Sequence, residues 1–204
     1  MNWKLTAAAL SIGAVILTGF NAAANAADIV RVRGVIETSD GSKMTVKTRE
    51  GASTAIALAT GVKVMAVAKA SVEDIKPGDF VGIASLPKSK GGDGAVEVLI
   101  FPAAMKGTGE GSYPWDLKPQ STMTNATVSN AVKEVDGHEI TVKVNGKDKT
   151  ISVADGTVVV TLAPAIAADL KPGATVFVPT ERGTDGTLTA GFVIVGANGI
   201  VPPM

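Results

Sequence analysis

The sequence contains no cysteine and only one histidine among its 204 residues. Disulfide bonds and catalytic thiols are therefore excluded, and transition-metal sites, which need clustered Cys or His ligands, are not expected. Lysine plus arginine and aspartate plus glutamate are balanced at 19 each, whereas a nucleic-acid-binding protein usually has a marked basic excess. We therefore expect no metal site, no cofactor and no nucleic-acid partner.

Aromatic residues are also scarce, at 4% of the chain, although hydrophobic residues reach 46%. Val, Ala, Thr and Gly are abundant instead, and this composition favours short pleated strands joined by tight turns. Alternation of the kind expected for half-buried strands begins at Val30 and is clearest over residues 44–49. The sequence predicts an all-β protein.

Long apolar runs are missing apart from one at the N-terminus. Residues 1–26 have the three parts of a secretory signal peptide, namely Lys4, the apolar run 5–20 and small residues ending at Ala26. We expect cleavage near Ala26 and a mature protein that is periplasmic or secreted. Since no later apolar run is long enough to form a spanning helix, no membrane span is expected in the mature chain.

The chain repeats itself. The phrase Asp-Ile-Lys-Pro-Gly at residues 74–78 returns as Asp-Leu-Lys-Pro-Gly at residues 169–173, 95 positions later. Asp-Gly turns and a Thr-Val-Lys triplet recur in the same order at nearly the same offset, which indicates an internal tandem duplication. Each copy shows three strand patterns, a short helical pattern that covers residues 66–75 in the first copy, and two further strand patterns. This is the element order of an OB-type barrel.

We therefore predict two tandem small OB-like barrels, each with one short helix between its third and fourth strands. The predicted units are a first β-barrel repeat over residues 27–101, a Gly/Pro linker over 102–126, a second β-barrel repeat over 127–197 and a C-terminal tail over 198–204. The linker contains Trp115 and Tyr113, the only Trp and Tyr that follow the predicted signal peptide.

Three features make the pattern familiar: the Val-x-Gly opening at Val32-Arg33-Gly34, the Asp-Gly hairpins and the late Lys-Pro-Gly phrase leading into a strand. In these features the chain resembles the bacterial exported family catalogued as domain of unknown function 5666. The resemblance implies small β-barrel modules in envelope proteins, and it implies no established activity.

No pattern predicts catalysis. His138 follows a hairpin turn at the start of a predicted strand, a placement typical of an exposed turn histidine. The aspartates that precede glycine are explained by turn geometry, because a short acceptor beside a flexible residue stabilises a tight turn. We expect a protein that is not an enzyme.

Positive charge is concentrated on the first predicted hairpin, at Arg31, Arg33, Lys43, Lys47 and Arg49. Strand alternation places Lys47 and Arg49 on the same outward face. The cluster is either a solvated face that discourages edge pairing or a binding surface for an anionic partner such as a polysaccharide, a lipid headgroup or an acidic protein.

The linker motif Tyr113-Pro114-Trp115-Asp116 also allows two interpretations. Trp115 either anchors a partner or folds back across both barrels and fixes their orientation. The candidate binding residues are Tyr113, Trp115, Asp116, Arg31, Arg33, Lys47 and Arg49. The expected function is a non-catalytic exported binding or adaptor module of the bacterial cell envelope, with an unknown envelope protein or an anionic glycan as partner. The alternative is an accessory periplasmic component of metal or small-solute handling.

Overall fold

The computed structural model describes residues 28–134 and 137–202. The predicted signal peptide lies outside the described residues, as does Asp136 of the second Asp-Gly turn. The strands described are β1 (Asp28–Ser39), β2 (Lys43–Thr48), β3 (Ser53–Lys69), β4 (Phe80–Pro87), β5 (Asp93–Ile100), β6 (Gly111–Pro114), β7 (Thr122–Glu134), β8 (Gly137–Val144), β9 (Lys147–Ala154), β10 (Val158–Pro164), β11 (Thr175–Arg182) and β12 (Leu188–Val195). Single 3-10 turns are formed by Val72–Asp74, Ala103–Met105 and Ala167–Asp169.

The prediction of an all-β protein is confirmed. The helical pattern predicted over residues 66–75 is wrong in its first part, because residues 66–69 continue β3 and pair with β10. A 3-10 turn of three residues remains, and it is closed by the backbone N–H of Ser71, which donates to Asp74 Oδ2 at 2.8 Å. None of the helical segments in the described part of the chain has the length and apolarity needed to cross a membrane.

Five strands close into the first barrel. Its pairing order is β1-β2-β3-β12-β11, and β11 pairs again with β1 to complete the circle. Alternate residues of these strands point inward and are fully buried, among them Ile36, Met44, Val46, Ile56 and Val178. The alternation of apolar and polar residues in the sequence therefore corresponds to side chains that point alternately into and out of the barrel, and the inward set forms its apolar interior.

A second ring is formed by β4, β5, β9, β8 and β7 in that pairing order. The circle is completed by β7 with β4, and by a short parallel pairing in which Asp93 and Gly94 lie opposite Ile151 and Ser152. Its interior is filled by Val81, Ile83, Val98, Ile140 and Ile151.

Both assemblies combine strands from the two halves of the chain. The first barrel takes β1–β3 from the first repeat and β11–β12 from the second, and the second ring takes β7–β9 from the second repeat and β4–β5 from the first. This differs from the predicted division, in which residues 27–101 and 127–197 would each close a separate barrel. The reason lies in β3, which runs for 17 residues and carries the chain out of the first barrel.

The exchange is nearly symmetric. Beyond the rings, β3 and β10 pair antiparallel with Val67 opposite Leu162, its counterpart 95 positions later. Each Lys-Pro-Gly turn bonds the opposite half of the chain. Gly78 N–H donates to Val128 O at 2.8 Å, and Gly173 N–H donates to Ile36 O at 2.9 Å. Ile36 in β1 therefore corresponds to Val128 in β7, and a register shift follows each of them.

A third apolar cluster joins the two assemblies. Phe177 and Ile194 come from the first barrel, Leu99 and Met123 from the second ring, and Val67 and Leu162 from the crossing strands. Linker side chains, including Tyr113, Trp115 and Leu117, pack against the same cluster. The linker is thus part of the apolar layer between the two strand circles.

Candidate functional site

The predicted linker is partly a strand. Its β6 pairs antiparallel with β7, with Gly111 opposite Asn125 and Tyr113 opposite Met123. The side chain of Asn125 is 7% exposed, and its Nδ2 donates to Thr108 O and to Tyr113 Oη, both at 3.2 Å. The first part of the Tyr-Pro-Trp-Asp motif is therefore fixed to the edge of β7.

Trp115 then carries the linker across to the first barrel. Its indole ring lies 6.4 Å from the ring of Phe177 and 6.0 Å from that of Tyr113. The guanidinium carbon of Arg31 stands 4.2 Å from the indole centroid, a distance at which the cation is attracted by the negative face of the ring. These contacts correspond to the interpretation in which Trp115 folds back within its own chain.

Asp116 forms a two-pronged ion pair with Arg33. Arg33 Nη2 donates to Oδ1 at 2.8 Å and Nη1 donates to Oδ2 at 3.1 Å. Arg33 is only 8% exposed, whereas Asp116 is 48% exposed. Partial burial acts to raise the pKa of Asp116, but the hydrogen bonds and charge of Arg33, with the charge of Arg31, outweigh it and hold this pKa below its ordinary value. Asp116 is therefore ionised at neutral pH.

An open groove of about 470 Å³ lies beside this pair. Four arginines from three separate segments line it, against two carboxylates, so that its formal charge is positive by two. The charged lining residues are Arg31, Arg33, Arg49, Arg182, Glu50 and Asp116, and the apolar ones are Val30, Val32 and Leu188.

The groove lies where β1 changes partners. β2 pairs with β1 only from Gly34 onward, and Arg49, in the turn after β2, donates its backbone N–H to Arg33 O at 3.2 Å. Gly34 is required at this crossing, because a Cβ there would clash with the carbonyl oxygen of Lys47. The Val-Arg-Gly motif thus shapes one wall of the groove.

The structure brings most of the predicted site residues together. Arg31, Arg33, Arg49 and Asp116 line the groove, while Trp115 packs under Arg31 and Tyr113 packs against Trp115.

Lys47 is the exception among the candidate residues. It is exposed on β2 and does not line the groove. β2 ends at Thr48 and Arg49 belongs to the following turn, so the strand alternation used to group Lys47 with Arg49 does not extend to Arg49.

Sequence reasoning missed Arg182. It enters the groove because strand exchange sets the end of β11 opposite the start of β1, where Arg182 Nε donates to Asp28 Oδ2 at 3.2 Å. These two residues are 154 positions apart, so no local pattern connects them. Glu50 was also missed. Hydrogen bonds from its own backbone and from Thr48 lower its pKa, helped by the charges of Arg49 and Arg33.

His138 is half-buried, and its Nδ1 has no hydrogen-bond partner among the described residues, which corrects the expectation of an exposed turn histidine. Within the described ranges, no group of three or more His, Cys, Asp or Glu side chains is placed to hold a metal ion. Comparison with known protein families, with curated proteins and with solved structures found no match. The resemblance to the exported family stays a prediction.

Proposed function

We propose that the protein is a non-catalytic binding module of the bacterial cell envelope that holds an anionic partner in its arginine-lined groove. The main support is the convergence of Arg31, Arg49 and Arg182, from three separate segments, beside the Arg33–Asp116 pair. A groove lined by charge of one sign concentrates ligands of the opposite sign and increases their rate of association. The lining residues carry a net excess of two positive charges, and even with the Asp28 carboxylate that pairs with Arg182 the charge stays positive, which favours an anion over a neutral ligand.

The arginines are also held ready for binding. Arg31 is stacked on Trp115, and Arg33 is fixed between Asp116 and the ring of Phe177, whose centroid is 4.8 Å from its guanidinium carbon. Side chains that are ordered before binding lose less conformational entropy when the ligand arrives. The rings of Trp115 and Phe177 therefore support the arginines of the binding surface. We accordingly assign Trp115 to packing within its own chain and not to insertion into a partner protein.

The state of the Asp116 carboxylate favours a role in binding over a role in catalysis. Asp116 has a lowered pKa and both of its oxygens accept hydrogen bonds from Arg33. A general acid or base works best when its pKa lies near the working pH, and that of Asp116 lies far below neutrality.

We also propose that each five-stranded circle is an OB-like barrel completed by strand exchange. The pairing order β1-β2-β3-β12-β11 and the 3-10 turns before β4 and β11 support this assignment. OB-type barrels commonly bind extended polymers across the face of their second and third strands and the neighbouring loops. The groove here overlaps that region only in part, because it lies beside the start of β1 and the turn after β2, with Arg182 and Leu188 next to the β11–β12 turn.

Dextran sulfate, with neutral dextran as control, tests the proposed function. We expect dextran sulfate to raise the melting temperature of the protein, because a ligand of the folded state stabilises it by mass action, and neutral dextran to leave it unchanged. Arg49→Ala should weaken dextran sulfate binding about three- to tenfold, which corresponds to the loss of one groove charge.

Lys47→Ala is the matched control, because it removes one positive charge a short distance along the chain but outside the groove. Equal losses for Lys47→Ala and Arg49→Ala, or no shift with dextran sulfate at all, would contradict binding in the groove. A shift with a divalent metal chloride alone would instead favour the accessory role in metal or small-solute handling.

A further inference from the structure

One edge of β1 is open along the groove. Among the described strands, only β11 pairs with residues 28–32 of β1, since on the other side Arg49 donates to Arg33 O and β2 joins at Gly34. The corresponding part of β7 has partners on both sides, namely β4 on one and β6 on the other. The two halves of the fold therefore differ by one strand at this place.

The correspondence between these two edges is exact in register. Since Ile36 matches Val128, Arg31 matches Met123 and Arg33 matches Asn125, which are the β7 residues opposite Tyr113 and Gly111 of β6. On β7, the antiparallel strand β6 thus occupies the edge position at which no described strand pairs with the corresponding residues of β1. The linker supplies this strand on β7, and its Trp115 and Asp116 side chains contact Arg31 and Arg33 of β1.

We infer that residues 29–32 of β1 accept an acidic peptide segment of a partner protein as an added antiparallel strand. This inference rests on the proposed function and names the class of anionic partner. Strand addition at an open edge is a common mode of peptide recognition, in which backbone hydrogen bonds provide affinity and alternate side chains provide specificity.

The backbone of Arg31 faces the groove. Val30 O accepts from Thr180 Oγ1 at 2.7 Å on the β11 side, whereas Arg33 O accepts from Arg49 on the opposite side. Because backbone groups alternate in direction along an antiparallel pair, the N–H and C=O of Arg31 point away from β11 and into the groove. They are placed to exchange a pair of hydrogen bonds with an added strand.

The side chains around the edge define the peptide. Val30, Val32 and Leu188 form an apolar row on the barrel side of the groove, while Arg31, Arg49 and Arg182 supply positive charge. An added strand turns successive side chains to opposite faces, so one set meets the apolar row and the other meets the arginines. The edge therefore fits a peptide in which acidic and apolar residues alternate.

A capped hexapeptide of alternating glutamate and valine is the probe, and a peptide with the same residues in two blocks is its control. We expect the full-length protein to bind the alternating peptide at least about tenfold more tightly than the block peptide, because only the former matches both rows. If the two bind equally, or if neither binds while dextran sulfate does, the strand addition is wrong and the anion-binding function stands. If dextran sulfate also fails, the proposed function fails with it.

N-methylation of the peptide tests the backbone bonds directly. Two versions carry N-methyl groups on alternate amides, one on the glutamates and one on the valines. Only one of these sets faces β1, so one version should lose binding about tenfold or more while the other binds as the parent does. Equal binding of both versions and the parent would show that the backbone edge is not used.

Arg31→Pro and Arg31→Ala give the same test from the side of the protein. Both remove the guanidinium group, but only proline removes the N–H that faces the groove. We expect the proline variant to bind the alternating peptide at least about fivefold more weakly than the alanine variant, and equal affinities would overturn the inference. Circular dichroism checks folding, and if the proline variant does not fold, the N-methylated peptides decide.

Discussion

Arg33 is the residue on which the groove and the linker meet. It is outward-facing on β1 yet 8% exposed, because Phe177, Trp115 and Asp116 surround its guanidinium group. A buried cation is tolerated when charge-assisted hydrogen bonds compensate for its lost hydration, and the two bonds to Asp116 have the parallel geometry that arginine forms with a carboxylate.

Asp116→Ala should lower the free energy of unfolding by about 1–3 kcal/mol at pH 7, a value reduced from that of a fully buried pair because Asp116 is 48% exposed. The pKa of Asp116 is lower in the folded state than its ordinary 3.8, so this contribution is complete above that pH and is lost as the pH falls through the folded value. Urea denaturation at pH 7 and at pH 3 measures the difference.

Asp148→Ala provides the control for this prediction. Its salt bridge with Lys143 is exposed on both sides, with side chains 62% and 56% exposed, so its removal should change the free energy by less than about 0.5 kcal/mol. An Asp116→Ala variant as stable as wild type at pH 7, or one whose deficit persists unchanged at pH 3, would show that the ion pair does not stabilise the fold.

At the scale of elements, the turn of the β1–β2 hairpin is capped by one carboxylate in addition to the backbone pairing of the two strands. Asp40 Oδ1 accepts hydrogen bonds from the Ser42 N–H, the Ser42 hydroxyl and the Lys43 N–H, each at 2.8 Å. The N–H of Lys43 and the hydroxyl and N–H of Ser42 together lower the pKa of Asp40 to about 2. This hairpin carries Arg33 and leads to Arg49, so the turn also sets the geometry of the groove.

An NMR titration should place the midpoint of the Asp40 carboxyl near pH 2, well below its ordinary 3.8. Because the folded pKa is depressed, the stabilisation by Asp40 is present above the ordinary value and is lost as the pH falls through about 2. Asp40→Ala should accordingly lower the melting temperature at pH 7, and Asp40→Asn, which keeps an acceptor, should lower it less. A midpoint near 3.8 would contradict the turn geometry.

The crossing segment of β3 shows where sequence patterns reach their limit. Residues 66–69 are rich in alanine, and their local propensity favours a helix. In the structure Val67 is 2% exposed and lies opposite Leu162, so pairing and burial with a strand from the other half override that propensity. The turns at Asp40-Gly41 and Lys76-Pro77-Gly78 could be predicted because their closing hydrogen bonds come from neighbouring residues, although Gly78 also donates to Val128 O in the other half.

The whole molecule is interlocked by the strand exchange. Because each strand circle contains both halves of the chain, the unfolding of either half removes strands from both circles. We therefore expect a single cooperative transition, whereas two self-contained repeats would unfold independently.

Ile83→Ala and Val178→Ala test this expectation by calorimetry. Ile83 is a first-half residue in the second ring, and Val178 is a second-half residue in the first barrel; both are fully buried. Each variant should shift one common transition to lower temperature, and Ile83→Ala should cost about 2–5 kcal/mol. Two resolved transitions, of which each variant moves only one, would contradict an interlocked fold.

The candidate site also has one part that could be predicted from the sequence and one part that depends on strand pairing. The sequence alone identified two groups of candidate residues, Arg31-Val32-Arg33 and Trp115-Asp116, because clustered charge and an isolated tryptophan can be read from the linear sequence. That Arg33 binds Asp116, 83 positions away, and that Arg182 joins them depends on which strands pair.

By itself, the sequence determined the all-β character and the turns and displayed the repeated phrases, since alternation and turn chemistry depend on neighbouring residues alone. Only the tertiary structure decided which copy of the last two strands completes each circle. The two repeats offer similar edges and similar apolar faces, so local patterns are satisfied equally by pairing within a half or between halves. The choice was made by the path of β3 and β10, and with it came the groove that unites Arg33, Asp116 and Arg182.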